Sequence, residues 1–253
     1  MIETEVQGNI LIIKINRPEA RNAVNGDVAQ GIEAAIDRLD GDDSLWVGVL
    51  TGQREFFCAG ADLKLINAGR MAETSTAKGG FAGITSRERV KPIIAAVEGP
   101  CLAGGLEIVL ACDMLVASRE SRFGIPEVKR NLIAAAGGVF RLPRLLPRNV
   151  AFELGLTGDP ISAQRAYDLG LVNELADAGG ALEAGIALAE RVAASAPLAV
   201  QKTRQLMIDL VHADDATGMK ASGEGIMAMA QTEDFGEGLT AFIEKRAPQW
   251  KGR

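Results

Sequence analysis

Two acids occupy positions that call for an explanation. Glu107 lies inside "GPCLAGGLEIVLACD" (99–113), where its neighbours from Leu106 to Cys112 are all apolar. A buried, unpaired carboxylate is costly or takes up a proton. Glu127 follows Pro126 in "FGIPEVKRNL" (123–132), at the end of a short extended stretch. Each acid can be read as a helix N-terminal carboxylate stabilised by the helix dipole. That reading does not say why the run carrying Glu107 is otherwise wholly apolar. Two glycine-rich stretches accompany the acids: "FFCAGADLK" (56–64) and the 99–113 segment itself. Each sets small residues after an expected strand and before an expected helix. Successive backbone amides at such a turn can hold an oxyanion. The same glycines also suit plain close packing of two elements.

The elements that must position these residues follow from pattern. "NILIIKI" (9–15), "LWVGVLTG" (45–52), "PIIAAVEG" (92–99) and "DMLVAS" (113–118) read as strands. Residues 28–43 carry apolar side chains at helical period, and 84–91 and 104–112 also read as helical. Strands alternating with helices predict an α/β fold with largely parallel strands. Beyond about residue 140 the chain is Ala-rich. It predicts helices at 149–155, 162–170, 181–195, 197–212, 217–231 and 234–246, with "GLVNEL" (170–175) as an extended stretch. Residues 67–83 read as a flexible loop over a site, and Met207, Met219, Met227 and Met229 as residues at helix contacts.

Composition narrows the function classes. The net charge is -6 with no basic stripe, which argues against nucleic acid as a partner. Cys58, Cys101 and Cys112 have no paired spacing and read as reduced core thiols. No apolar run reaches the ~18 residues of a membrane span and no leader is legible, so a cytoplasmic protein is expected. The single His212 sits in polar "LVHADD", which leaves a Ser-His-Asp or Cys-His system hard to build. No cluster has metal-ligand spacing.

The sequence resembles the crotonase superfamily, the enoyl-CoA hydratases and isomerases. "IAAVEGPCLAGGLEIVLACDM" (94–114) carries the resemblance, with "NRPEARNAV", "FCAGADLK", "FGIPEVK", "AAAGGVFRLPRLLP" and "EKRAPQWKGR" in family order over nearly the whole chain. The resemblance implies an α/β fold with a crotonase-like ββα spiral core at 1–195. A helical C-terminal oligomerisation segment at 196–253 would build a homotrimer or a dimer of trimers. It implies an enoyl-CoA hydratase, a lyase of lipid metabolism acting on an acyl-CoA without metal or redox cofactor, coenzyme A being part of the substrate. The amides of Ala61 and Gly104 would form the oxyanion hole. Glu107 would act as base toward water attacking C3, and Glu127 would deliver a proton to C2.

Coenzyme A would be held by Ala20, Arg21, Ala23, Ala59, Asp62, Leu63 and Lys64, with Lys245 and Lys251 reaching phosphates. Many hydratases resembling this chain have Pro-Gly-Ala-Gly-Gly where this one reads Ala134-Ala135-Ala136-Gly137-Gly138. Ala135 would still offer its amide to the water. Lys129 and Arg130 would stand near the acyl end, against a long unbranched tail. Alternatives within the family are an isomerase and a crotonobetainyl-CoA (carnitinyl-CoA) hydratase. From another class, a non-catalytic acyl-CoA-binding protein remains, and turnover would separate it.

Overall fold

The computed structural model describes residues 1–53 and 55–253. Its centre is a sheet of six strands in the order Ile2–Gln7, Ile10–Ile15, Val47–Gly52, Ile93–Val97, Met114–Ser118 and Glu174–Ala176. The first pair is antiparallel and every later pair is parallel. Side chains alternate across a strand, so Ile10–Ile15 feeds two cores. Leu11, Ile13 and Ile15 enter one, which also holds Ile32 and Ile36 of the helix Gly26–Gly41. Ile10 and Ile12 enter the other, against Leu188 and Ala189 of the helix Ala181–Ala193. Covered on both faces, the central strands Val47–Gly52, Ile93–Val97 and Met114–Ser118 are largely apolar rather than alternating, whereas the edge strand Ile2–Gln7 is polar and exposed. Gly185 lets that second helix come close, since a Cβ there would lie 2.8 Å from the Ala96 Cβ.

A second, smaller sheet has three strands. Pro100–Leu102 pairs in parallel with Arg122–Gly124, which pairs antiparallel with Ile161–Ser162. Single bridges Cys58↔Cys101 and Val24↔Ala61 continue the row. The chain therefore winds as a spiral. Val47–Gly52 leads to the 58–61 segment and the helix Leu63–Asn67. Ile93–Val97 leads to Pro100–Leu102 and the helix Gly104–Val109. Met114–Ser118 leads to Arg122–Gly124 and the 3-10 helix Pro126–Arg130. Each turn thus delivers a helix start from the same small sheet, and Ala61, Gly104, Glu107 and Glu127 all occur there.

Helices Pro197–Leu210, Asp215–Met229 and Glu233–Glu244 follow. The first is tied to the core through Asp113, which accepts from Arg204 Nε and the Ile93 amide at 2.8 Å each and from Arg89. No helix among the described residues is long and apolar enough to cross a membrane.

Three expectations are corrected. Residues 84–91 are turns, not a helix, because their polar groups are recruited singly: Val90 and Lys91 donate their amides to Asp40. The 67–83 stretch lines a cavity as expected but carries regular structure, with a 3-10 helix at Met71–Thr74 and a hairpin pairing Ser75–Thr76 with Gly80–Phe81. Thr76 pins the hairpin to Glu33 of the long helix. Met207, Met219 and Met227 face outward, 64–76% exposed in the single chain.

Candidate active site

A cavity of about 570 Å³ opens where the turns of the spiral meet. Glu107, Glu127, Ala61 and Gly104 all line it. Neither amide of the Ala61–Gly104 pair has an acceptor among the described residues. At Ala61 this follows from the bridge, in which Val24 donates to the Gly60 carbonyl and accepts from Asp62, leaving the amide between them free. Gly60 has φ +91, and a Cβ there would come within 2.8 Å of the Gly104 nitrogen. The two amide-bearing segments are therefore close neighbours only because that residue is glycine.

Ala103 turns the second amide inward. Its φ of 53 and ψ of -130 fall where an L-residue is rarely found. Its own amide is fixed on the Gly124 carbonyl at 2.9 Å. Strain of this kind, of order 1–3 kcal/mol, persists only where the surroundings enforce it. Gly104 makes room for the Phe81 ring, which a Cβ would approach to 2.5 Å.

Glu107 is 4% exposed, and its Oε1 accepts from the Gly138 amide at 2.9 Å. Burial raises its pKa, while the amides of Gly138 and Ala136 and the charge on Arg141 pull it down. Arg141 is anchored by donating to the carbonyls of Thr85 at 2.7 Å and Ala136 at 3.2 Å. Glu127 is pushed up to about 7, chiefly by burial and further by the Glu107 charge. Its Oε2 is buried without a hydrogen-bond partner. The two acids thus share one cavity in unlike settings, one held by an amide and one with a free oxygen. That is the asymmetry an acid/base pair needs.

Of the expected coenzyme A contacts, Arg21, Ala59 and Leu63 line the cavity, as does Ala135. Ala20, Ala23, Asp62 and Lys64 do not. Asp62 is engaged in structure: it pairs with Arg17 at 2.7 Å and caps the helix Leu63–Asn67 through the Lys64 amide. Ala23 accepts from Arg17 at 3.0 Å. Lys251 pairs with Glu233 at 3.3 Å, and Lys245 closes the last helix in a left-handed conformation.

Two expectations fail here. The Ala135 amide already donates to the Ile133 carbonyl at 2.9 Å, so it is not free for a water. Lys129 turns to Asp159 and does not line the cavity, whereas Arg130 does.

The sequence reading missed Asn22, fully buried at φ 57, whose side chain accepts from the Arg17 amide and donates to the carbonyls of Gln53 and Phe56. The signal was present: Asn tolerates the left-handed conformation and bonds backbone in turns. It also missed Arg141 and Phe81, which no local pattern marks.

Comparisons with known proteins agree with this fold. The crystal structure of enoyl-CoA hydratase EchA1 from Mycobacterium marinum superposes with a TM-score of 0.95 at 47% identity, covering 100% of this chain and 99% of that one. Carnitinyl-CoA dehydratase of Proteus mirabilis is 36% identical, covering 98% of this chain and 97% of the relative. The 2,3-dehydroadipyl-CoA hydratase of Escherichia coli is 35% identical, again over 98% and 97%. Residues 5–253 match the family described as Enoyl-CoA hydratase/isomerase. With a spiral of the same shape and a family match over residues 5–253, this chain belongs to the enoyl-CoA hydratase/isomerase family.

Proposed function

We propose that this protein is an enoyl-CoA hydratase, adding water reversibly to a trans-2-enoyl-CoA to give a 3-hydroxyacyl-CoA. The observation that carries the reading is the pair of unlike carboxylates, Glu107 and Glu127, on one cavity with the free amides of Ala61 and Gly104. The thioester oxygen accepts both amides, which stabilise the enolate charge that develops there. Losing one such donor costs about 3 kcal/mol of barrier. Ionised Glu107 takes a proton from water as its oxygen bonds to C3. Protonated Glu127 gives its proton to C2. The product gains OH and H, and a proton returns from Glu107 to Glu127 to close the cycle. Coenzyme A enters as part of the substrate.

An isomerase needs only one acid to move a proton, so the second acid favours hydration. The free thiols fit a reducing compartment such as the cytoplasm. The outward apolar side chains of the last helices, Met219, Phe242 and Ile243 among them, suit burial in a homotrimer or a dimer of trimers. Light scattering would then report three or six times the chain mass.

The test of function is absorbance of the conjugated thioester on mixing with crotonyl-CoA, longer 2-enoyl-CoAs and crotonobetainyl-CoA. Loss of that absorbance is expected for at least one straight-chain substrate. Stable absorbance with all of them, alongside measurable acyl-CoA binding, would mark a non-catalytic binder.

A further inference from the structure

Arg130 lines the cavity beside Glu127, and the proposed hydration does not use it. The segment Pro126–Arg130 is a 3-10 helix, in which residues three apart eclipse each other. Glu127 and Arg130 therefore share a face, and both line the cavity, while Val128 and Lys129 do not. At ~2.0 Å rise per residue, Arg130 stands ~6 Å along the wall from Glu127. Leu132, Ile133 and Ala135, which follow in the chain, line the cavity as well. Lys129 is neutralised by Asp159, but Arg130 makes no ion pair among the described residues. Glu127 does not compensate it fully, because an acid poised at about 7 carries only part of its charge at neutral pH.

We propose that Arg130 makes this cavity selective for 2-enoyl thioesters whose acyl chain ends in a carboxylate a few bonds beyond the reacting double bond. The inference rests on the hydratase reading above. Apolar side chains receive the methylenes, and the guanidinium fork receives two carboxylate oxygens in parallel. The same charge repels a trimethylammonium end group, which sets a crotonobetainyl thioester at a disadvantage.

The test compares kcat/KM for a six-carbon trans-2-enoyl-CoA ending in methyl with its counterpart ending in carboxylate, with crotonyl-CoA as reference. A preference of about tenfold or more for the carboxylate is expected, the scale of a charged hydrogen bond. Arg130→Met brings the ratio near one, and Arg130→Glu reverses it. A wild-type preference for methyl, or a ratio that survives Arg130→Met, overturns the proposal. So does an equal rise of KM for all thioesters in the variant, which would place Arg130 on coenzyme A. Hydration without discrimination overturns this proposal alone. Inactivity on every thioester, crotonyl-CoA included, overturns the hydratase reading with it.

Discussion

The Glu107 carboxylate accepts the Gly138 amide at 2.9 Å, so one helix start holds the acid of another, 31 positions away in sequence. The contact is possible because residue 138 has no side chain. A Cβ there would lie 2.7 Å from the Ala134 Cβ and 3.3 Å from Glu107 Oε1. Gly138→Ala is expected to cost about 1–3 kcal/mol of stability, the usual effect of overpacking. It should also lower kcat more than acyl-CoA affinity. Chemical denaturation and steady-state kinetics on the variant check both.

Arg141 acts on that acid from behind. Its positive charge is among the influences that keep the Glu107 pKa from rising further. Arg141→Met should move the acidic limb of the kcat/KM profile to higher pH, since Glu107 must be ionised to accept a proton. Arg141→Lys should restore much of the limb's position. A merely structural role would lower the rate at every pH and leave the limb in place.

Glu127 links activity and stability to pH in the same sense, both falling as pH rises through about 7. The proposed role as proton donor needs it protonated, so the alkaline limb should fall near pH 7. Its pKa in the fold is above the ordinary 4.5, so its stability contribution is complete below pH 4.5 and is lost as pH rises through about 7. The loss is at most about 3 kcal/mol. Glu127→Gln should therefore be more stable than wild type at pH 8, with most of the gap gone at pH 5. Thermal unfolding at the two pH values measures it.

Ala103 holds a conformation suited to glycine. Ala103→Gly is expected to keep or raise the melting temperature, since relief of about 1–3 kcal/mol of strain exceeds the entropy lost to a freer unfolded chain, about 0.5–1 kcal/mol. Ala103→Val should lower it and suppress turnover by moving the Gly104 amide. A lower melting temperature for the glycine variant would show that the backbone is not strained there.

Much of this was legible in the sequence because it is local. Val47–Gly52, Ile93–Val97 and Met114–Ser118 are short apolar runs buried on both faces, and their type was plain. The glycines and acids lie within a few residues of element ends, where motifs are read. What was not legible depends on distant partners. Pro100–Leu102 and Arg122–Gly124 are three-residue strands too short to show a period. Residues 84–91 are shaped by Asp40, 50 positions away from Val90. The Ala135 amide could be judged free only until its turn onto Ile133 was seen. Arg141 reveals its place only when the loop before it folds back on Glu107.

The proposed hydration requires both acids to act over a shared water while the amide pair holds the thioester. The most direct measurement is kcat on crotonyl-CoA for Glu107→Gln and Glu127→Gln, beside calorimetric affinity for saturated butyryl-CoA. Each variant is expected to lose kcat by orders of magnitude and to bind butyryl-CoA about as wild type does. Near-normal turnover in either variant would contradict the proposed hydration.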